Sequence, residues 1–175
     1  MRNKSPNCAV LETRRLRFHP WQAEDLPLLL ELHGDPEVQH FLEAGETVWD
    51  RAFLKEKFDG FRADYAENGW TKFKLLDAQG RFLGRAGFGR FDETGELELG
   101  YSLMRPFWGQ GYATEAATAL LGWIYGAAPV DHVIGFAVAD HKASRRVLEK
   151  IGMRFTGIRD LNGVPNAFYR HERPA

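Results

Sequence analysis

The segment that most restricts the fold runs from residue 97 to residue 139. It begins with LELGYSLM, in which apolar residues alternate with Glu98, Gly100 and Ser102, so a half-buried strand is predicted. The turn FWGQGYATEA follows, and then a helix with apolar residues at helical spacing. Residues 132–139, HVIGFAVA, are nearly all apolar, as expected of a strand buried on both faces. A strand, a helix and a strand in one sheet form a right-handed crossover, which predicts two parallel strands.

The remaining pattern places this crossover in one mixed sheet. A strand at residues 15–18 is followed by two helices, and then by three strands joined by the turns DAQG and DETG. After the crossover come a helix within residues 140–153 and a final hairpin. This order predicts a single α/β (α+β) domain over residues 1–175, with a disordered tail at residues 1–9. We expect a mostly antiparallel, twisted sheet of about seven strands with helices on both faces.

Composition and charge exclude several classes of function. A net charge of −1 over 175 residues gives no support to binding of nucleic acid or of an anionic membrane. The single cysteine, Cys8, cannot form an internal disulfide and no metal-ligand spacing is present, so we expect no metal and a reducing, cytoplasmic location. The sequence shows neither an apolar signal segment at its N-terminus nor a run of about 20 apolar residues, so no membrane partner is expected.

The turn before the crossover helix has the properties of an anion site. The first N–H groups of a helix lack internal partners, the helix dipole adds positive charge, and Gly109 and Gly111 let an anion approach the backbone. A phosphate or diphosphate is therefore a natural ligand. The turn lacks the Gly-Lys-Ser/Thr ending of a P-loop, and Thr114 stands where a dinucleotide fingerprint needs glycine. A tight turn that binds nothing is the alternative, and these residues alone leave both open.

A second segment, DHKASRRVLEKIGM at residues 140–153, follows the crossover. Together with WGQGYATEA, and with LETRRLRFHPW near the N-terminus, it resembles the GNAT superfamily of acetyl-CoA-dependent N-acetyltransferases, and within it the RimJ/RimL-like branch. The resemblance extends from Leu11 to Arg170. It implies a sheet splayed between the fourth and fifth predicted strands, with the pantetheine arm of acetyl-CoA in the gap. It also implies transfer of an acetyl group to a primary amine by direct attack in a ternary complex.

The resemblance implies which residues hold acetyl-CoA. Backbone amides of the loop would bind the diphosphate, and the Leu103 amide would meet the thioester beside a β-bulge at residues 102–104. The family has Gln or Arg where this chain has Trp108, a departure of little consequence if the backbone does the binding. It usually has Asn where this chain has His141, which could contact the cofactor, transfer protons, or be a partly exposed helix-start residue. The implied cofactor-binding set is Leu103, Trp108, Gly109, Gln110, Gly111, Tyr112, Ala113, Thr114, His141 and Ser144.

Three residues are candidates for the chemistry. Glu98 would accept a proton from the attacking amine, directly or through water, and an ordinary solvent-facing strand carboxylate is the alternative. The Leu103 amide would stabilise the developing oxyanion. Leu148 stands where many family members have a tyrosine that protonates the leaving thiolate. Ser144 is the expected substitute; a plain helix-start hydroxyl is its alternative, and the thiolate could also leave without an acid.

The acceptor is predicted only as a class. It is expected between the first two helices and the last hairpin, lined by Phe41, Trp49 and Tyr169. A protein N-terminus, an amino acid and a small-molecule amine fit equally, and the chain could be a monomer or a homodimer. Two other functions are considered. The absent tyrosine and asparagine leave room for a non-catalytic acyl-CoA-binding sensor on the same fold, whereas the missing Gly-Lys-Ser/Thr opposes a nucleotide-binding module.

Overall fold

The computed structural model describes residues 8–42 and 49–174. The strands are β1 (Leu11–Glu12), β2 (Leu16–His19), β3 (Lys72–Asp77), β4 (Phe82–Arg90), β5 (Leu97–Leu103), β6 (His132–Val138), β7 (Arg154–Leu161) and β8 (Val164–Glu172). The helices are α1 (Leu26–His33), α2 (Pro36–Gln39), α3 (Arg51–Asn68), α4 (Tyr112–Ala127) and α5 (Lys142–Lys150). Short 3-10 turns lie at Ala23–Asp25 and Arg105–Phe107.

All described strands belong to one mixed sheet in the order β1-β2-β3-β4-β5-β6-β8-β7. Neighbouring strands are antiparallel except β5 and β6, which are parallel, as the crossover pattern predicts. The sheet has eight strands rather than about seven, because the two-residue strand β1 pairs with β2 at the edge. Such a short strand carries too little alternation to be recognised from sequence. Most of the expected tail lies outside the described residues.

Local signals set the ends of the helices that flank the site. The Asp50 side chain accepts a hydrogen bond from the Phe53 amide and caps α3, and Gly69, in the left-handed conformation, ends it. The segment Gly34-Asp35-Pro36 separates α1 from α2, and the Asp35 side chain caps α2. Leu29 of α1 packs with Leu54 and Phe58 of α3, and this contact holds the two helices side by side.

Helices lie on both sides of the sheet. The main core joins α4 and α5 to the face of β3 and β4 that carries Phe73, Leu75, Ala86 and Phe88. A second cluster joins α1 and α3 around Trp21. This cluster lies toward the opposite face, where Arg85 alternates with Ala86 and places its guanidinium 5.8 Å from the centroid of the Phe61 ring in α3. The face under α1 and α3 therefore carries charged side chains and small residues instead of a continuous apolar layer.

The two parallel strands separate soon after they meet. Only Glu98 and Ile134 are paired between β5 and β6, although both strands continue beyond this point. The β4–β5 ladder, in contrast, is paired from Gly84 with Leu103 to Arg90 with Leu97. The chain therefore has the splay that the resemblance implies, between β5 and β6 in the observed numbering.

Candidate active site

A cavity of about 1360 Å³ extends along the splay and beneath α3. Its walls come from the loop before α4, from the ends of β5 and β6, from the start of α5 and from α3. Among the residues predicted from sequence to form the site, those that line it are Phe41, Trp49, Glu98, Leu103, Trp108, Gly109, Gly111, Tyr112, Ala113, Thr114, His141 and Ser144. Gln110 and Tyr169 do not line it. The structure therefore brings together the expected donor and acceptor ends in one space.

The loop before α4 is shaped by two glycines in the left-handed conformation. Gly109 has φ 72° and Gly111, the N-cap of α4, has φ 79°. A side chain at Gly109 would meet nothing within 4 Å, so backbone conformation rather than crowding requires glycine there. The first-turn amides of α4 remain available to a ligand, as at any helix start. This geometry fits an anion at the mouth of the cavity.

The N-terminal segment holds this loop in place. The Arg15 guanidinium donates to the Gln110 carbonyl oxygen at 3.0 Å and to the Glu115 carboxylate at 2.5 Å, and it lies over the Tyr112 ring. The Thr13 hydroxyl donates to the same carboxylate. The Gln110 side chain points back and donates to the Pro106 carbonyl oxygen, which agrees with the absence of Gln110 from the cavity lining. Arg15 is a site-supporting residue that the loop motif alone does not reveal.

Trp108 has a defined contact that its position in the motif did not indicate. Its indole Nε1–H donates to the Leu103 carbonyl oxygen at 2.7 Å, which ties the first residue of the loop to the end of β5. We expected the departure from Gln or Arg to have little consequence. That expectation concerns binding and stays a prediction, whereas the structure gives the Trp108 side chain a structural contact that joins the loop to the end of β5.

The Leu103 amide faces the splay. The next amide, that of Met104, donates to Leu83 of β4, and successive amides of an extended strand point to opposite edges. The expected β-bulge is not found in the β4–β5 pairing, which is continuous from Leu97 to Leu103. The amide reaches the gap because β6 diverges from β5, and no extra residue in β5 is needed.

His141 is stacked rather than exposed. Its ring lies on the Phe41 ring with centroids 3.7 Å apart and planes 9° apart, and its side chain does not cap α5. Burial, followed by the nearby charge of His40, lowers the pKa of His141 below its usual value. The imidazole is therefore neutral at pH 7. Its contact with Phe41 connects the start of α5 to the segment that follows α2. It retains ring nitrogens for a cofactor contact.

Ser144 lies beside Tyr101 of β5. The hydroxyls of Tyr101 and Ser144 are 3.0 Å apart, and the Tyr101 hydroxyl is also 3.0 Å from the Ser144 carbonyl oxygen, to which it can donate. Burial raises the pKa of Tyr101, so its hydroxyl stays protonated. The alternation in LELGYSLM does not identify Tyr101 as a site residue, because it places the ring on the core side of β5, whereas the hydroxyl extends to the cavity wall.

Glu98 is paired with a lysine inside the cavity. Lys72 Nζ donates to Glu98 Oε2 at 2.7 Å, and the two side chains are only 19% and 12% exposed. The pair lies over Gly100, where an added Cβ would be 2.8 Å from both Lys72 Nζ and Glu98 Oε1. Burial lowers the pKa of Lys72, and the Glu98 charge opposes this shift. Glu98 is therefore not an ordinary solvent-facing carboxylate, which was the alternative. Lys72, which sequence did not indicate, is part of the site.

The aromatic residues predicted for the acceptor end separate into two groups. Phe41 and Trp49 line the cavity, and the Trp49 ring packs against that of His33 in a tilted arrangement with centroids 4.9 Å apart. Tyr169 is 1% exposed in the main core, where its hydroxyl donates to Glu149 and accepts from Arg145. This placement removes Tyr169 from the proposed acceptor site, because its ring is directed into the core and its hydroxyl is already engaged.

A buried histidine beneath this site predicts a specific pH dependence of stability. Burial, with the charge of Arg85 as a second cause, lowers the pKa of His33 from 6.5 to about 3. Between these values the unfolded chain takes up a proton that the folded chain refuses, so His33 contributes stability above about pH 6.5 that is lost as pH falls. We expect wild type to lose about 1 kcal/mol per pH unit more than His33→Gln between about pH 6 and pH 4 in urea titrations. Parallel losses in the two proteins would contradict the placement of His33.

Two further properties concern the described parts of the chain. Across residues 8–42 and 49–174 there is no group of three or more His, Cys, Asp or Glu side chains that could hold a metal ion. None of the helices in those ranges is both long and apolar enough to cross a membrane.

Comparison with known proteins agrees with this geometry. Residues 15–154 match the family described as "Acetyltransferase (GNAT) domain". The uncharacterised protein YkkB of Bacillus subtilis is 37% identical over 167 residues, which cover 93% of this chain and 95% of YkkB. An acetyltransferase from Agrobacterium tumefaciens has a TM-score of 0.82 at 22% identity, with 99% of each chain covered. RimL, a ribosomal L7/L12 alpha-N-protein acetyltransferase solved with coenzyme A, has a TM-score of 0.76 at 18% identity, with 91% of this chain and 95% of RimL covered. Because the family match spans most of its length, the chain belongs to the GNAT family of acetyltransferases.

Proposed function

We propose that this acetyltransferase takes its acetyl group from acetyl-CoA and transfers it to a primary amine by direct attack in a ternary complex. GNAT acetyltransferases use acetyl-CoA, and the single observation that carries the proposal is the continuous cavity. It joins an anion-binding helix start at α4 to a buried carboxylate at Glu98, through the gap between β5 and β6. One space thus offers a place for the diphosphate of the donor and a base for the acceptor.

The residues present fit coenzyme A. The amides of Gly109 and of residues 111–114 would hold the diphosphate, because the left-handed glycines leave them accessible. The Leu103 amide and the His141 ring would contact the pantetheine end within the splay. Bound acetyl-CoA supplies an acyl group already activated as a thioester. The protein has then to orient an amine, remove its proton and stabilise charge on the carbonyl oxygen.

The proposed base is Glu98, with Lys72 as its positioning partner. Lys72 occupies Glu98 Oε2, and no described residue forms a hydrogen bond with Oε1. Oε1 is therefore the oxygen that would accept the amine proton, directly or through water. The Leu103 amide, at the edge of the gap, is the proposed oxyanion donor. Glu98 and the Leu103 amide lie at different points along β5, so the acceptor nitrogen would lie between the proposed base and the proposed oxyanion donor.

The contact between Ser144 and Tyr101 predicts a shared role in protonating the leaving thiolate. We expect Ser144→Ala and Tyr101→Phe each to lower the turnover number about tenfold, less than a typical general acid, because thiols leave readily. The Kd for acetyl-CoA should change little. Stopped-flow and steady-state kinetics of both single variants and the double variant test this. If the loss of turnover in the double variant equals the product of the two single losses, the residues act independently and a joint relay is contradicted. No loss in either single variant would contradict it as well.

The finer assignments belong to the same proposal. We place the chain in the RimJ/RimL-like branch, supported by its LETRRLRFHPW segment, with a protein N-terminus, an amino acid or a small amine as acceptor. The cytoplasmic location and the choice between monomer and homodimer stay predictions. A non-catalytic acyl-CoA sensor is not favoured, because the cavity contains a positioned carboxylate next to the splay.

A thiol-release assay tests the proposal. Amine-dependent release of coenzyme A from acetyl-CoA, with a panel of peptides, amino acids and aminoglycosides, is the expected result. Calorimetry provides the second measurement. Binding of acetyl-CoA without release on any acceptor would leave the sensor, and failure to bind acetyl-CoA would refute both functions.

A further inference from the structure

Arg85 is a buried cation in the acceptor half of the cavity. It lies in the middle of β4, is 4% exposed and lines the cavity. In the sheet it is paired with Ser102, the neighbour of Leu103. Its side chain is therefore close to the place where the Leu103 amide faces the splay, and on the face that α3 covers through Phe61.

Neutral groups fix the orientation of this guanidinium. Arg85 Nε donates to His33 Nε2 at 3.1 Å, and His33 Nδ1 lies 2.9 Å from Gln39 Oε1. His33 is neutral at pH 7, so its Nδ1–H donates to Gln39 and its Nε2 accepts from Arg85. Across residues 8–42 and 49–174, no carboxylate pairs with Arg85 and no hydrogen bond is made by Nη1 or Nη2. The forked end of the side chain is left for a ligand.

The buried Arg85 has no ion pair of its own among the described residues. The part-buried Glu98 carboxylate acts on it electrostatically but forms its ion pair with Lys72. A buried charge without a partner destabilises the folded protein. The Arg85 guanidinium would be stabilised by an anionic group of a bound ligand. A guanidinium fork matches the two oxygens of a carboxylate, with which it forms paired, charge-assisted hydrogen bonds.

We propose that Arg85 binds a carboxylate of the acceptor, so that the preferred substrates are amines that also carry a carboxylate. This inference rests on the proposed acetyl transfer and specifies its acceptor. Because Arg85 is in register with Ser102, beside Leu103, the carboxylate lies near the reacting centre. Amine and carboxylate are then separated by few bonds, as in an amino acid or in a peptide whose first residue is acidic.

The test compares acceptors that differ only at the carboxylate. Free amino acids are paired with their carboxamides, and peptides starting with Asp or Glu with those starting with Asn or Gln, in wild type and Arg85→Gln. We expect Arg85→Gln to lower kcat/KM about 10- to 100-fold for the carboxylates and less than about threefold for their amides. Differences in amine pKa between acceptors cancel, because the kcat/KM of each acceptor with Arg85→Gln is compared with the kcat/KM of the same acceptor with wild type. The two sets of pairs distinguish an amino acid from a protein N-terminus.

Two further variants control for folding and for general charge. Arg85→Lys keeps the charge without the fork and should retain part of the preference. Arg154→Gln makes the same change at an exposed residue of β7 that does not line the cavity, and it should leave the preference intact. Equal losses for carboxylates and amides in Arg85→Gln would overturn the inference and assign Arg85 a structural role.

A binding measurement separates this inference from the proposed reaction. N-acetyl amino acids and their amides, used as product probes in calorimetry, need no turnover. Tighter binding of the carboxylate, lost in Arg85→Gln, is expected even if no acceptor is acetylated, and that combination would refute the proposed reaction alone. Equal binding of both probes by wild type would overturn the carboxylate site.

Discussion

Replacing Glu98 with glutamine is expected to lower the turnover number at least about 100-fold, with less than about a threefold change in the Kd for acetyl-CoA. Glutamine keeps the shape of the side chain and removes its ability to take the amine proton. The donor contacts proposed for the α4 loop lie at the other end of the cavity and are untouched. Steady-state kinetics at saturating acetyl-CoA, with calorimetry for the donor, separate the two effects.

The ion pair requires a matched control, because Glu98→Gln also deprives Lys72 of its buried partner. Lys72→Met removes the cation and leaves the carboxylate, so it should retain much more activity than Glu98→Gln. The double variant Lys72→Met/Glu98→Gln should be as inactive as Glu98→Gln alone while restoring any lost thermal stability. If the double variant instead regains activity, the unpaired lysine causes the defect and Glu98 is not the base.

Replacing Gly111 with aspartate is expected to weaken coenzyme A binding about 10- to 100-fold. The residue is the N-cap of α4, and a carboxylate there would repel the diphosphate proposed to bind the first-turn amides. Gly111→Asn is the matched control, because asparagine has the same shape, tolerates the left-handed conformation and carries no charge. Calorimetry at low and high salt provides the measurement.

The prediction is tested by the difference in coenzyme A affinity between Gly111→Asp and Gly111→Asn. The aspartate variant should recover part of its affinity as salt rises, whereas the asparagine variant should be nearly insensitive to salt. Space is not the limiting factor, since an added Cβ at Gly111 would meet only the end of the Arg15 side chain at 3.6 Å. Equal affinity of both variants at low salt would place the diphosphate elsewhere.

Much of the fold could be predicted because its signals are local. The alternation in LELGYSLM and the apolar run HVIGFAVA both give strands, and the helix between them requires a parallel pair. The loop before α4, which is proposed to bind the donor, is recognisable for the same reason, from Gly109 and Gly111. The edge strand β1 was missed because two residues carry no periodicity.

The charged floor of the cavity could not be predicted, because it depends on register between strands. Lys72 pairs with Gly87 and Arg85 with Ser102, and only this alignment brings Lys72 to Glu98 across Gly100. In sequence, Lys72 and Lys74 alternate with apolar residues as in any half-solvated strand. Tyr169 was misplaced for a related reason, since a strand near the site has one face that points into the core.

The Arg15 contacts connect the N-terminal edge of the sheet to the loop proposed to bind the donor. Arg15 lies in the turn between β1 and β2, where it contacts Glu115, 100 residues further along the chain, and donates to the Gln110 carbonyl oxygen. Thermodynamic linkage is reciprocal, so a ligand that favours the ordered loop must equally favour the docked edge. Binding of the donor should then slow amide exchange in β1, although this edge strand does not line the cavity.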